Sequence, residues 1–122
     1  MYKKKIMKKK STTLNIEIHT PGGKVKEWLT SYVRDTMLEL HRKDKNISKA
    51  QVYFWQQAKT KNGDKACEIV LTFQGGSLFV YRKAYSYDKA VREVLDEVVQ
   101  KVESKIRAQY ELPDEITSTV MA

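Results

Sequence analysis

The stretch Ala66-Cys67-Glu68-Ile69-Val70-Leu71-Thr72-Phe73-Gln74-Gly75-Gly76-Ser77-Leu78-Phe79-Val80-Tyr81-Arg82-Lys83-Ala84-Tyr85-Ser86-Tyr87-Asp88-Lys89-Ala90-Val91 holds two strand-like runs split by a turn and then changes to a helical period, and that succession decides the fold. Cys67, Ile69, Leu71 and Phe73 alternate with Glu68, Val70 and Thr72, which predicts a strand with one dry face over 66–74. Gly75-Gly76 makes a turn, and Ser77 to Tyr85 reads as the next strand. Ser86 then suits a helix N-cap, with Asp88 in the first turn at the positive end of the dipole. Ala90, Val91, Val94, Leu95, Val98, Val102 and Ile106 recur at helical spacing, predicting an amphipathic helix to about Tyr110 that Leu112-Pro113 stops.

The same contrast of periods extends upstream. Residues 47–58 alternate Ala50, Val52 and Phe54 with Gln51, Tyr53 and Trp55, and the Asn62-Gly63 pair favours a tight hairpin into the following strand. Before that, Val25, Trp28, Leu29, Tyr32, Val33, Thr36, Met37 and Leu40 form one apolar helix face, ended by the polar run 42–46. Leu14, Ile16 and Ile18 alternate with Asn15, Glu17 and His19 as a first strand, broken by Thr20-Pro21-Gly22-Gly23. The order β-α-β-β-β-α contains no repeat and no linker. Half-wet strands and one-faced helices predict an α+β two-layer sandwich, a four-stranded sheet with both helices on one face. The expected divisions are a basic disordered arm over 1–12, the domain over 13–110, and an acidic flexible tail over 111–122.

Charge narrows the class of partner. The chain of 122 residues has a formal net charge of +8, and six lysines with no acid stand within residues 1–10. Without them, 17 basic residues face 15 acidic ones. A mildly basic body with a strongly basic arm suits a polyanion. No apolar run follows the arm as a secretory signal requires, and none approaches a membrane span. The expectation is a soluble, cytoplasmic protein with no membrane partner. The single cysteine, Cys67, lies on the dry side of its strand and reads as a small buried hydrophobe.

No catalytic constellation is present in the sequence. His19 and His41 have no cysteine or carboxylate at ligand spacing, and no phosphate loop, dinucleotide fingerprint or nucleophile elbow occurs. The expectation is therefore no enzyme, no metal, no cofactor and no small-molecule substrate. Glu93, Asp96, Glu97 and Glu103 read as the solvated face of the last helix. Basic residues near helix ends and loops carry the binding reading: Arg42, Lys43, Lys49, Arg82, Lys83, Lys89, Arg92, Lys101 and Lys105 are the candidate RNA contacts. Tyr53, Trp55, Tyr81, Tyr85 and Tyr87 are interleaved with them and offer rings for bases.

Taken together, the elements resemble the ribosome hibernation factor family, also called ribosome-associated inhibitors or sigma modulation proteins. The resemblance spans Leu14 to about Arg107. It rests on Leu14-Asn15-Ile16-Glu17-Ile18, on Leu29-x-x-Tyr32-Val33 with Leu40-x-Arg42, and on Ala50-x-Val52-Tyr53. Glu68-Ile69-x-Leu71 and Gly76-x-Leu78 follow, then Ser86-Tyr87-Asp88-x-Ala90-Val91 running into Val94-x-Asp96-x-Val98 and Val102. It implies docking in the mRNA and tRNA channel of the small ribosomal subunit, which keeps ribosomes idle under stress. It further implies rRNA contacts at Arg42, Arg82, Lys83, Lys89, Lys101 and Lys105. The chain would match the short form, a monomer off the ribosome.

Two other readings fit the same residues. A double-stranded RNA-binding module has strands and a final helix in similar order, although the stretch Tyr87-Asp88-Lys89-Ala90-Val91 holds one lysine where such modules carry several. A protein-interaction domain without an RNA role would use Tyr53, Trp55 and the outer sheet face.

Overall fold

The computed structural model describes residues 13–20, 25–56 and 64–121, with side chains through residue 108. Its elements are β1 (Asn15–His19), α1 (Glu27–Lys43), β2 (Ile47–Gln56), β3 (Lys65–Phe73), β4 (Gly76–Ala84) and α2 (Tyr87–Met121). The expected basic arm, the Pro21-Gly22-Gly23 break and the Asn62-Gly63 turn lie outside the described residues.

The strands form one mixed sheet in the order β1-β2-β3-β4. β1 runs parallel to β2, with Ile16 opposite Ala50, so the chain must cross over between them, and α1 is that crossover. β2, β3 and β4 continue as an antiparallel meander, Val52 opposite Ile69 and Ile69 opposite Val80. Gly75 sits in the β3–β4 turn at φ 96°, a left-handed conformation that a Cβ would strain.

Alternation sorts the sheet into two faces. Ala50, Val52, Phe54, Cys67, Ile69, Leu71 and Val80 are buried against the helices. They share one cluster with Leu29, Val33, Met37 and Leu40 of α1 and Val91, Val94, Val98 and Val102 of α2. This is the two-layer α+β sandwich with both helices on one side. Tyr87 closes the core edge-on against Phe54, with ring centroids 5.4 Å apart. Ser86 caps α2 as expected, its hydroxyl accepting the Lys89 N–H at 3.2 Å.

At the other pole, α1 ends in His41, Arg42 and Lys43, cations suited to the negative end of its dipole. His41 is buried and its Nδ1 lies 3.0 Å from the Ile47 carbonyl. A carbonyl only accepts, so Nδ1 carries the proton. The neighbouring Asp44 is also buried, accepting from the Asn46 N–H at 3.0 Å and from Lys105 Nζ at 3.4 Å.

Three expectations need correction. α2 does not stop at Leu112-Pro113 but continues to Met121. A proline inside a helix deletes a single i→i−4 bond and kinks the axis, and a helix already held by its packed first half can run past that fault. Trp28 and Tyr32 do not face the core: they are 50% and 44% exposed, because Leu29, Val33, Met37 and Leu40 form the apolar seam and these two rings fall beside it. Glu97 is not part of a solvated face but stands largely covered between Arg82 and Lys101.

Candidate nucleic-acid interface

Strand alternation and helix phase decide where each candidate cation stands. Arg42 and Lys43 end α1, and Lys101 and Lys105 lie on the part of α2 that passes it. Lys43 Nζ donates to Glu103 at 3.0 Å, and Lys105 Nζ reaches Asp44 at 3.4 Å, so two ion pairs bind the helices to each other at this pole. The Lys105 ammonium also stands 4.4 Å over the Phe73 ring. Lys105 is thus engaged both at the end of α1 and by β3.

Arg82 belongs to β4 but, being on the same side as Val80, turns toward the helices. There it pairs with Glu97, which also meets Lys101 Nζ at 3.6 Å. These residues line a groove of about 700 Å³ along α2 with Glu93, Asp96, Gln100 and Ser104. Lys101 and Lys105 also border a hollow of about 330 Å³ against the Gly75-Gly76 turn. Arg42, Lys43, Arg82, Lys101 and Lys105 therefore fall on the helix layer, most of them around one pole.

The remaining candidates are not gathered there. Lys89 and Arg92 are exposed on the first turns of α2, at the opposite pole, where Lys89 pairs with Glu93 at 3.3 Å. Lys49 and Lys83 lie on the outer sheet face, Lys49 3.5 Å from Glu17 and Lys83 3.7 Å from Asp64. Adjacent in sequence, Arg82 and Lys83 point to opposite sides of the sheet. Arg42 pairs within its own helix with Glu39 at 3.2 Å.

Eight of the nine candidates thus have a carboxylate partner. Apart from Lys105 with the buried Asp44, these are exposed or half-exposed pairs of the kind that contributes about 0–1 kcal/mol each, so an incoming phosphate strand can exchange with their carboxylates. The acids that share these sites were missed in the sequence because no periodicity signals a contact between residues 82 and 97 or 43 and 103. Of the candidate stacking rings, Tyr87 is buried in the core, whereas Trp55, Tyr81 and Tyr85 are exposed. Among the described residues there is no cluster of three potential metal ligands, and no helix is long and apolar enough to cross a membrane.

Burial pushes the Cys67 thiol up to about 12, with the Glu68 charge adding to the shift. That leaves almost no thiolate near neutrality, as expected of a core side chain and not of a nucleophile.

No family model matches the chain, and no curated protein matches it in sequence. Solved structures do match in fold. The N-terminal domain of Protein Y from Thermus thermophilus superposes with a TM-score of 0.61 at 18% identity, over 75% of this chain and 98% of that one. A ribosomal subunit interface protein from Coxiella burnetii gives 0.59 at 18% identity, over 78% of this chain and 99% of that one. The β-α-β-β-β-α sandwich described above is the fold of these two proteins.

Proposed function

We propose that this chain is a ribosome-associated translation inhibitor of the hibernation factor family. It docks in the mRNA and tRNA channel of the small subunit and keeps ribosomes idle under stress. The observation that carries this reading is the fold match, which takes in nearly the whole length of two proteins, one of them a ribosomal subunit interface protein. The residue patterns that resemble the family span the same domain, from Leu14 to about Arg107.

The mechanism is occlusion and not chemistry. Arg42, Lys43, Arg82 and Lys101 meet rRNA phosphates where decoding substrates would sit, exchanging their carboxylate partners for phosphate oxygens. Lys89 and Arg92 extend the contact along α2. Lys105 supports the pole through Asp44 and Phe73 and contributes charge from a fixed position. Lys49 and Lys83, on the opposite face, reach RNA only if the channel encloses both sides of the domain.

Co-sedimentation with small ribosomal subunits at low and moderate salt, with a generic RNA duplex as competitor, tests the proposal. Saturable, salt-sensitive binding that the duplex does not displace is the expected result. Displacement by the duplex would instead identify a double-stranded RNA module. Absence of binding at both salts would end the RNA readings altogether.

A further inference from the structure

The outer sheet face has a site that the ribosome reading does not use. Trp55 on β2 and Tyr81 on β4 are 50% and 43% exposed, and β3 runs between them. Trp55 is opposite Ala66 and Tyr81 is opposite Glu68, so the residue beside the indole is a single methyl. The strands that flank β3 lie roughly 9.5 Å apart, which leaves room for a flat group between side chains on either wall. A cleft of about 410 Å³ results, lined by both rings, Gln56, Ala66, Glu68, Asp64 and Lys83.

The polar groups of the cleft define its ligand. Glu68 accepts the Trp55 indole N–H at 3.3 Å, which holds the ring and the carboxylate in fixed relation. A carboxylate has about four acceptor positions, so this bond leaves Glu68 capacity for further donors. Asp64 adds a second negative charge, and among the described residues Lys83 is the one cation of the lining, 3.7 Å from Asp64. In a chain of net charge +8, the described lining of this cleft has two carboxylates against one ammonium. Such a balance repels phosphate and attracts a cation.

We propose that this cleft binds an arginine side chain presented by a basic segment of a partner protein. The planar guanidinium stacks on Trp55 or Tyr81 while its fork of N–H groups donates to Glu68, with Asp64 at the rim. A lysine has the charge but neither the plane nor the fork, and binds more weakly. Lys83 opposes the ligand, so its removal strengthens binding. A nucleotide in the same cleft would show the opposite dependence, because Lys83 would be its phosphate contact. The site does not depend on ribosome binding, and it is read by a separate measurement.

The test follows the Trp55 indole N–H cross-peak by ¹⁵N-correlated NMR, identified by its loss in Trp55→Phe. The probes are a glycine-spaced peptide with three arginines, its lysine counterpart, and single-stranded hexanucleotides. The arginine peptide is expected to move the peak saturably and more tightly than the lysine peptide. Glu68→Gln, which keeps an acceptor for the indole, weakens binding about tenfold through loss of a charge-assisted hydrogen bond. Lys83→Gln tightens it about two- to threefold. No movement of the peak with millimolar arginine peptide, or movement indifferent to Glu68→Gln, overturns the proposal. So does a hexanucleotide that moves the peak and binds less well to Lys83→Gln.

Discussion

Phe54 and Trp55 are neighbours in one strand, yet one is 2% exposed and the other 50%. The two faces of the sheet differ just as sharply in what surrounds them. The inner face has two helices over it, and its cations, such as Arg82, meet acids supplied by a helix. On the outer face nothing among the described residues covers the aromatics. His19 stacks on Tyr53 with centroids 4.7 Å apart, Tyr53 neighbours Trp55 at 6.4 Å, and Phe79 is 59% exposed. Gln51 donates to the Tyr53 hydroxyl at 3.1 Å, so the row is ordered as well as open. The contrast separates stability from recognition: the helix-covered side holds the domain together and carries the cations at its rim, while the open side offers rings and carboxylates.

The largest expected difference between the faces is in stability. Phe54→Ala removes a ring that the core encloses and should cost about 3–5 kcal/mol in urea unfolding. Trp55→Ala, one position on, should cost under about 1 kcal/mol, since its ring is half in water. Comparable losses for both would mean that the outer face is buried in solution and would break the comparison.

Binding should divide the adjacent pair Arg82 and Lys83. Arg82→Ala should weaken association with small subunits about tenfold and make it less salt-dependent, reducing the slope of log affinity against log salt by about 0.7–0.9. Lys83→Ala should change affinity less than about twofold, within the range of an exposed charge away from the contact. Equal effects in a filter-binding titration would place RNA on both faces.

A subtler difference concerns Cys67, which lies on the inner side of β3 next to the outward Glu68. With its pKa raised to about 12 from 9.0, the folded state holds the thiol proton more tightly than the unfolded chain does. Its contribution to stability is complete below pH 9 and is lost as the pH rises toward 12. At pH 8 the folded protein should resist iodoacetamide and the urea-unfolded protein should react, as mass spectrometry would show. Rapid labelling of the folded protein would mean that β3 opens to solvent.

The smallest effect is expected at the surface. Lys43→Ala breaks the pair with Glu103 and should shift stability by about 0–1 kcal/mol, measured by urea titration. A larger loss would show that the link between the helices at this pole is more than a surface pair.

Much of this was legible in the chain. The alternation at Cys67, Ile69, Leu71 and Phe73 and the helical spacing from Ala90 to Ile106 predict both elements and the faces they bury, because burial demands a period of 2 in a strand and 3.6 in a helix. Ser86 announced its cap through local chemistry alone. Trp28 and Tyr32 were not legible as exposed residues, since an apolar type at helical spacing gives the stripe but not its edge. The passage of α2 through Pro113 was not legible either, because local propensity is overridden by the helix it continues.

The amino-acid sequence alone determined the order of elements, the buried side of each, and the strong basicity of the first ten residues. Those follow from interactions between residues a few positions apart. Tertiary structure decided the pairing of β1 with β2 in parallel, the contact of Arg82 with Glu97, the link from Lys43 to Glu103, and the cleft between Trp55 and Tyr81. Each of these joins residues distant in the chain, and only the closing of the sheet and the docking of the helices bring them within the few ångströms over which ion pairs and ring contacts act.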